Sequence, residues 1–177
     1  PVGRQVQVTR RSPNNPGAIH MKWEIADEAE MHVAAWRAEN LSWRWDQDAF
    51  DRVQAEWGDL GAPTIYLPRV NVQELFIVRM GVEHAIYALH DYPDATEAFF
   101  RAHEASVGRL IERVNESPID IINFGDNVHA GTLSPDLFRR YVLPVYQQRC
   151  EALHAAGKFV HTHWDGDVAP LLPYAQE

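Results

Sequence analysis

Hydrophobic and polar positions alternate over two stretches near the start of the chain. Residues 6–10 and 18–25 alternate in this way, and the intervening segment 12–17 is rich in proline, asparagine and glycine. This pattern predicts a β-hairpin. The segment 27–45 has a mixed pattern with several tryptophans and indicates no definite element. Residues 46–57 are typical of a helix.

Three short apolar runs further along predict buried strands, at residues 63–67, 119–124 and 158–163. Long helices are predicted between them. Apolar residues recur at helical spacing over 93–115, and the segment 134–156 opens with a Ser-Pro-Asp helix start. This order is typical of parallel βαβ units, which form either an open doubly wound sheet or a closed barrel. Shorter helices are predicted at 72–80, 82–90 and 170–175.

The composition is that of a folded protein with a negative net charge. The chain is 46% hydrophobic and has a formal net charge of -9, which disfavours a nucleic-acid partner. The sequence contains no run of about 18 apolar residues, the length that would predict a membrane span. A single cysteine, Cys150, cannot form an internal disulfide and favours a reducing, cytoplasmic location. Because the chain begins at Pro1 without an initiator methionine, we expect a piece of a longer protein.

Polar residues directly follow the second strand, in the run Gly125-Asp126-Asn127-Val128-His129. The carboxyl ends of parallel strands are where α/β enzymes place their catalytic groups. Asp126 is therefore a candidate general base or substrate anchor, and Asn127 and His129 are candidates for hydrogen bonds to a substrate. The alternative is that Asp126 and Asn127 only shape the turn, which both residue types tolerate well.

The third strand ends in a second polar cluster. His161, His163 and Asp165 alternate along it, so in an extended chain they would share a face. Imidazole nitrogen and carboxylate oxygen suit Zn²⁺ or a similar ion, and they also serve proton transfer without metal. Since parallel strand ends open on one side, we expect Asp126 and His163 to face one cavity. The alternative is two structural histidines, with Asp165 capping the next helix.

Weaker candidates flank the end of the first strand. Tyr66 and Arg69 would reach a shared pocket there, and the alternative for Tyr66 is a place in the core. Four tryptophans are expected to pack a lid or an insertion, with a stacking site for a flat ligand as the less favoured alternative. They lie at positions 23, 36, 43 and 45.

Several motifs are similar to those of the uroporphyrinogen decarboxylase and corrinoid-methyltransferase superfamily. The most specific is the block from Leu133-Ser134-Pro135 through Phe138 and Tyr141 to Pro144. The resemblance covers roughly residues 58–177, and the part before residue 50 matches only loosely. The other matching motifs are Tyr92-Pro93-Asp94, Pro118-Ile119-Asp120-Ile121-Ile122, Asp126-Asn127, the segment 153–157 and His163-Trp164-Asp165-Gly166-Asp167.

The resemblance implies an α/β fold, namely a (β/α)₈ TIM barrel. Such a barrel needs about 250 residues, so residues 1–177 are expected to be a single partial domain that starts with the β-hairpin. The superfamily includes cofactor-free decarboxylases and zinc-dependent methyltransferases that move methyl groups from corrinoid carriers to thiols. The methyltransferases carry His-x-Cys where this chain has His163-Trp164-Asp165. His163 matches their zinc ligand, Asp165 replaces the cysteine, and a third ligand is expected beyond Glu177.

The sequence therefore predicts an enzyme of this superfamily. A methyltransferase-like member is preferred, and a decarboxylase of tetrapyrrole biosynthesis is the alternative. The decarboxylase would need no cofactor, and its arginine-rich amino-terminal motif is absent from these residues. A non-catalytic ligand-binding barrel is the alternative of another class. The expected partners are a small-molecule substrate, a corrinoid protein as methyl donor and a second copy in a homodimer. The expected catalytic residues are His163, Asp165 and Asp126, the expected zinc ligands are His163 and Asp165, and the expected substrate contacts are Asn127, His129, Tyr66 and His161.

Overall fold

The structure is a computed structural model that describes residues 2–176, apart from the side chains at positions 12, 15, 16 and 176. None of the described helices is long and apolar enough to cross a membrane. The elements form two compact units, one of residues up to Leu41 with Asn71–Ala105, and one of Ser42–Val70 with residues from Ser106 onward.

In chain order the elements are β1 (Val8–Ser12), β2 (Asn15–Lys22), α1 (Glu28–Glu39), α2 (Gln47–Trp57), β3 (Thr64–Leu67), α3 (Asn71–Gln73), α4 (Val82–Asp91), α5 (Pro93–Asn115), β4 (Ile121–Val128), α6 (Pro135–Leu137), α7 (Leu143–Ala155) and β5 (Phe159–Trp164). Two π-helical segments extend α3 and α6, at Glu74–Arg79 and Phe138–Val142, and 3₁₀ turns lie at Gly58–Leu60 and Ala169–Gln176.

The first unit contains the hairpin predicted from the alternating residues near the start. β1 and β2 pair antiparallel, with Ser12 opposite Asn15. The predicted hairpin is therefore confirmed, but its turn is tighter than the segment 12–17 because the second strand begins inside that segment.

The first unit also contains a helix that the sequence pattern did not predict. Asp27 caps α1 by accepting a 2.8 Å hydrogen bond from the N–H of Glu30, a favourable start for a helix. The buried residues of α1 include Val33, Ala34 and Ala35. Met31 is also buried and stands at helical spacing from Ala34 and Ala35, but because two of these three side chains are small alanines, the apolar stripe is weak.

The second unit contains a parallel sheet with β4 at its centre. Thr64 of β3 pairs with Ile121 of β4, and Ile121 pairs with Phe159 of β5. The prediction that the three apolar runs form parallel strands of one sheet is confirmed. The bounds of β3 and β5 differ from the prediction by one residue at one or both ends, whereas β4 starts two residues later than predicted and continues to Val128.

The two faces of this sheet differ in what covers them. Ile122 and Phe124 are buried, and the Phe124 ring lies 5.3 Å from the ring of Tyr146 on α7. Side chains alternate between the faces of a sheet, so the intervening positions point the other way. On β5 those positions are Phe159 and His161, and both are exposed. We call the first face the helix face and the second the open face.

The predicted helix over 134–156 forms in two parts joined by a π-helical segment. The N–H of Leu143 donates to the carbonyl of Phe138, five residues earlier. Pro144 follows and has no N–H for the regular ladder, which explains why the α-helical bonding is interrupted here. The helix ends at Gly157, whose φ of 75° lies in the left-handed region that glycine adopts without strain.

Candidate functional site

β4 carries a bulge at its carboxyl end, where the sequence predicted polar site residues. Phe124 pairs with Thr162 and Val128 pairs with Trp164, so β4 advances four residues while β5 advances two. The extra residues lie in the run Gly125-Asp126-Asn127. A bulge interrupts the ladder of hydrogen bonds and re-aims side chains. Here it accompanies an Asp126 side chain that is fully buried.

Both carboxylate oxygens of Asp126 accept hydrogen bonds from the protein. Oδ1 accepts from the N–H of Val70 at 3.0 Å, and Oδ2 accepts from the hydroxyl of Tyr146 at 3.0 Å. Val70 follows β3, and Tyr146 lies on α7. Asp126 therefore connects the end of β3, the bulge of β4 and the helix that packs on the helix face.

The charge of Asp126 is opposed by burial and favoured by its neighbours. Burial raises the pKa of this carboxyl above its ordinary value, because the charged form loses its hydration. The Arg149 guanidinium is the largest opposing influence, ahead of the hydrogen bonds from Val70 and Tyr146. Arg149 is 3% exposed and donates to the carbonyl of Pro68 at 2.8 Å. Burial first, and the Asp126 carboxylate second, hold the pKa of Tyr146 well above its ordinary value, so its hydroxyl remains a donor.

Asn127 and His129 are half-buried, and each is bonded within the protein. Oδ1 of Asn127 accepts a 3.4 Å hydrogen bond from Arg69, which also donates to the carbonyl of Gly125. Nδ1 of His129 accepts from the N–H of Gly131 at 3.2 Å. The Arg69 contacts join the segment after β3 to the bulge of β4, and the Gly131 contact lies within the turn after β4. Contacts of Asn127 and His129 with a substrate stay predictions.

The end of β5 exposes the second predicted cluster. Trp164 packs on the helix face, with its ring edge-on to Phe138 at 5.5 Å. His161 and His163 alternate with it and therefore lie on the open face, where both are exposed. Asp165 follows the strand and is exposed as well. The catalytic and binding roles predicted for these three residues stay predictions.

The described part of the chain does not complete a metal site. Residues 2–176 form no cluster of three or more His, Cys, Asp or Glu that could hold a metal ion. His163 and Asp165 would supply two ligands, whereas a catalytic zinc usually takes three from the protein. The donor chemistry of the pair fits zinc, and the number of donors is one short. The turn after Asp165 is capped by Asp167, whose Oδ1 accepts from the N–H of Ala169 at 3.2 Å.

The structure does not bring Asp126 and His163 to one cavity in the way the sequence led us to expect. Asp126 is buried on the helix face with bonds to α7 and the end of β3. His163 is exposed on the open face. The reason is the alternation along β4, because Asp126 lies two residues after the buried Phe124 and two before the buried Val128 and so points to the same face as they do.

Asn123 is a site residue that the sequence analysis missed. It pairs with Tyr66 on β3 and with His161 on β5, so the three form a row across the open face. Tyr66 is 63% exposed and is not a core residue, whereas Asn123 is 3% exposed. Among the described residues Oδ1 of Asn123 has no hydrogen-bond partner. A buried acceptor in this state costs about 1–3 kcal/mol, which makes Asn123 a candidate to bind a donor group of a ligand. The sequence does contain a signal for this site, because Asn123 is a polar residue inside the apolar run 119–124.

A protein-family comparison covers most of this site. The family model described as uroporphyrinogen decarboxylase (URO-D) matches residues 75–177, more than half of the 177 residues. The matched segment includes β4, β5 and all the predicted site residues except Tyr66 and Arg69. No curated protein and no solved structure matches the chain.

Proposed function

Because the chain belongs to the uroporphyrinogen decarboxylase family, we propose that it forms part of a (β/α)₈-barrel enzyme that transfers a methyl group from a corrinoid carrier to a thiol. Three parallel strands with helices on one face support the barrel. In a barrel the open face is the interior. The observation that carries the proposed reaction is the end of β5, where His163 and Asp165 are exposed two positions apart.

The proposed reaction needs a thiolate as nucleophile. The imidazole of His163 would take the thiol proton, since histidine is the side chain that most often transfers protons in enzymes, and the carboxylate of Asp165 would stabilise the imidazolium. The sulfur then bonds to the methyl carbon as the carbon–cobalt bond breaks and leaves its electron pair on cobalt. If zinc is bound, His163 and Asp165 would hold it, and it would lower the pKa of the thiol.

Asp126 has a positioning role in this proposal. Its bonds to Val70 and Tyr146 hold the bulge in place. The bulge itself carries Asn127, and it precedes the loop that carries His129; both residues are candidates for substrate contacts.

Decarboxylation of uroporphyrinogen is the second candidate, favoured by the description of the matching family. A substrate with several carboxylates needs cationic side chains to bind them. Arg69 and Arg149 lie at the strand ends, but they donate to the main-chain carbonyls of Gly125 and Pro68. The described residues therefore support this reaction less well than methyl transfer.

The proposal is tested by incubating the protein with methylcobalamin and 2-mercaptoethanol and measuring the methyl thioether by mass spectrometry. The His163→Ala variant should lose about 10²–10⁴-fold in rate, the usual contribution of a general base. His161→Ala is the comparison on the same face of the same strand, and as a predicted substrate contact only, it should lose less activity than His163→Ala. Because both side chains are exposed, the free energy of unfolding of both variants should lie within about 0.5 kcal/mol of the wild-type value.

Two further measurements separate the alternatives. Carbon dioxide release from uroporphyrinogen, without thioether formation, would establish the decarboxylase. Absence of both activities, together with binding of either substrate, would favour a non-catalytic barrel. Zinc content measured on the wild type and on His163→Ala tests the ligand role, since metal held by His163 should be lost from the variant. Full turnover by His163→Ala would contradict the proposed mechanism.

A further inference from the structure

A cavity of about 390 Å³ lies beside β3 in the second unit. Its volume falls within the range of small-molecule sites, which are mostly apolar with a few polar groups. Tyr66 is the one predicted substrate contact among its lining residues, and none of the site residues on β5 lines it. Its main side chains are Trp43, Arg44, Trp45, Leu110, Arg113 and Val114.

Two tryptophans form the aromatic part of the cavity. The indole N–H of Trp43 donates to the carbonyl of Ser106 at 3.0 Å, and that of Trp45 donates to Oε1 of Gln47 at 2.8 Å. Each indole has one donor, and in both cases it is bonded within the protein. These bonds orient the rings, so their faces and edges present apolar surface on which a flat ligand can stack. Leu110 extends the apolar lining.

Two arginines give the same cavity a local positive charge. Arg44 is exposed, and Arg113 forms an ion pair with Glu116 at 2.9 Å. Both partners of that pair are more than half exposed, and exposed pairs are weak enough for a ligand to compete. A guanidinium both stacks on aromatic rings and binds a carboxylate through two hydrogen bonds. A pair of arginines beside two tryptophans is therefore suited to an aromatic acid.

We propose that this cavity binds a planar aromatic carboxylate the size of one or two fused rings. The ring would stack on Trp43 and Trp45, and the carboxylate would bind Arg44 and Arg113. The chain as a whole carries a formal charge of -9, which repels anions at a distance. Attraction therefore depends on these two side chains, and the affinity should fall as salt screens them. The proposal does not depend on the reaction proposed above.

The test is isothermal titration of the full chain with 2-naphthoate and with its neutral isostere 2-naphthamide. The carboxylate should bind about tenfold more tightly than the amide at low salt, the difference expected from charge-assisted hydrogen bonds. The double variant Arg44→Gln/Arg113→Gln should reduce the affinity for 2-naphthoate to that for the amide. Trp45→Leu should weaken the binding of both compounds.

Three controls match these changes elsewhere in the chain. Arg139→Gln removes an exposed arginine that does not line the cavity, and Trp57→Leu removes an exposed tryptophan of α2. His163→Ala alters the proposed reaction site. All three should bind 2-naphthoate as the wild type does. Equal affinity for the acid and the amide, no heat of binding at millimolar ligand, or loss of binding in His163→Ala would each overturn the proposal.

Discussion

The hydroxyl of Tyr146 donates a 3.0 Å hydrogen bond to Oδ2 of Asp126, a carboxylate with no exposed surface. The bond joins α7 to the bulge of β4. The other carboxylate oxygen is held by the N–H of Val70 after β3. A single buried side chain thus connects two neighbouring strands and a helix, at the strand ends from which the candidate site is built.

Replacing Tyr146 with phenylalanine should destabilise the fold. Tyr146→Phe keeps the ring beside Phe124 but removes the donor, so a buried carboxylate loses one of its partners. We expect the free energy of unfolding to fall by about 1–3 kcal/mol, measured by urea denaturation at neutral pH. Tyr87→Phe is the control, because Tyr87 is 56% exposed. Equal stability of the two variants would show that the bond to Asp126 contributes nothing.

Asp126 should give the stability a pH dependence of defined sign. Its pKa in the folded protein is raised by burial, whereas in the unfolded chain it lies near 3.9. Between the two values the folded state holds the proton that the unfolded state has released. Stability from this group is therefore present at low pH and is lost as pH rises through the folded pKa.

The measurement compares the wild type with Asp126→Asn, which is neutral throughout. As pH rises above about 4, near the pKa of the unfolded state, the wild type should lose free energy of unfolding relative to the variant. Urea denaturation at several pH values gives this difference directly. A relative gain by the wild type would mean that Arg149 and the hydrogen bonds outweigh burial and lower the pKa of Asp126.

Removing Arg149 should be more damaging than removing Tyr146. Arg149→Met deletes the bond to the carbonyl of Pro68 and the main positive charge acting on Asp126. Leaving a buried charge uncompensated costs roughly 3–5 kcal/mol. In the double variant Arg149→Met/Asp126→Asn the carboxylate is also gone, so the total loss should be smaller than the sum of the single losses. Additive losses would indicate that the two groups do not interact.

Replacing Asn123 with an apolar residue should stabilise the folded protein. Because its buried Oδ1 has no partner among residues 2–176, Asn123→Leu should raise the free energy of unfolding by about 1 kcal/mol. Asn123→Asp should lower it, since it buries a charge at the same place. Thermal and urea denaturation of the wild type, Asn123→Leu and Asn123→Asp give the order of their stabilities. A loss of stability in Asn123→Leu would show that Oδ1 is bonded in the folded protein.

Much of the parallel sheet could be predicted from local sequence. The apolar run at 119–124, the segment 134–156 with its Ser-Pro-Asp start and the run at 158–163 each identify an element from neighbouring residues. Their order then favours parallel pairing, because a long helix between two strands returns the chain to the same end of the sheet. The family was also identified from motifs in this part of the chain, and the match over 75–177 confirms it.

Apart from α1, the sequence by itself determined the order of elements, the parallel sheet and the family, because periodicity, helix caps and motifs depend on residues close together in the chain. The tertiary structure decided the partners of Asp126 and the burial of Asn123. The bulge between Phe124 and Val128 exists only relative to the pairing with β5. Likewise, the partners of the Asp126 carboxylate come from the end of β3 and from α7. These relationships join residues distant in sequence, so no local pattern records them.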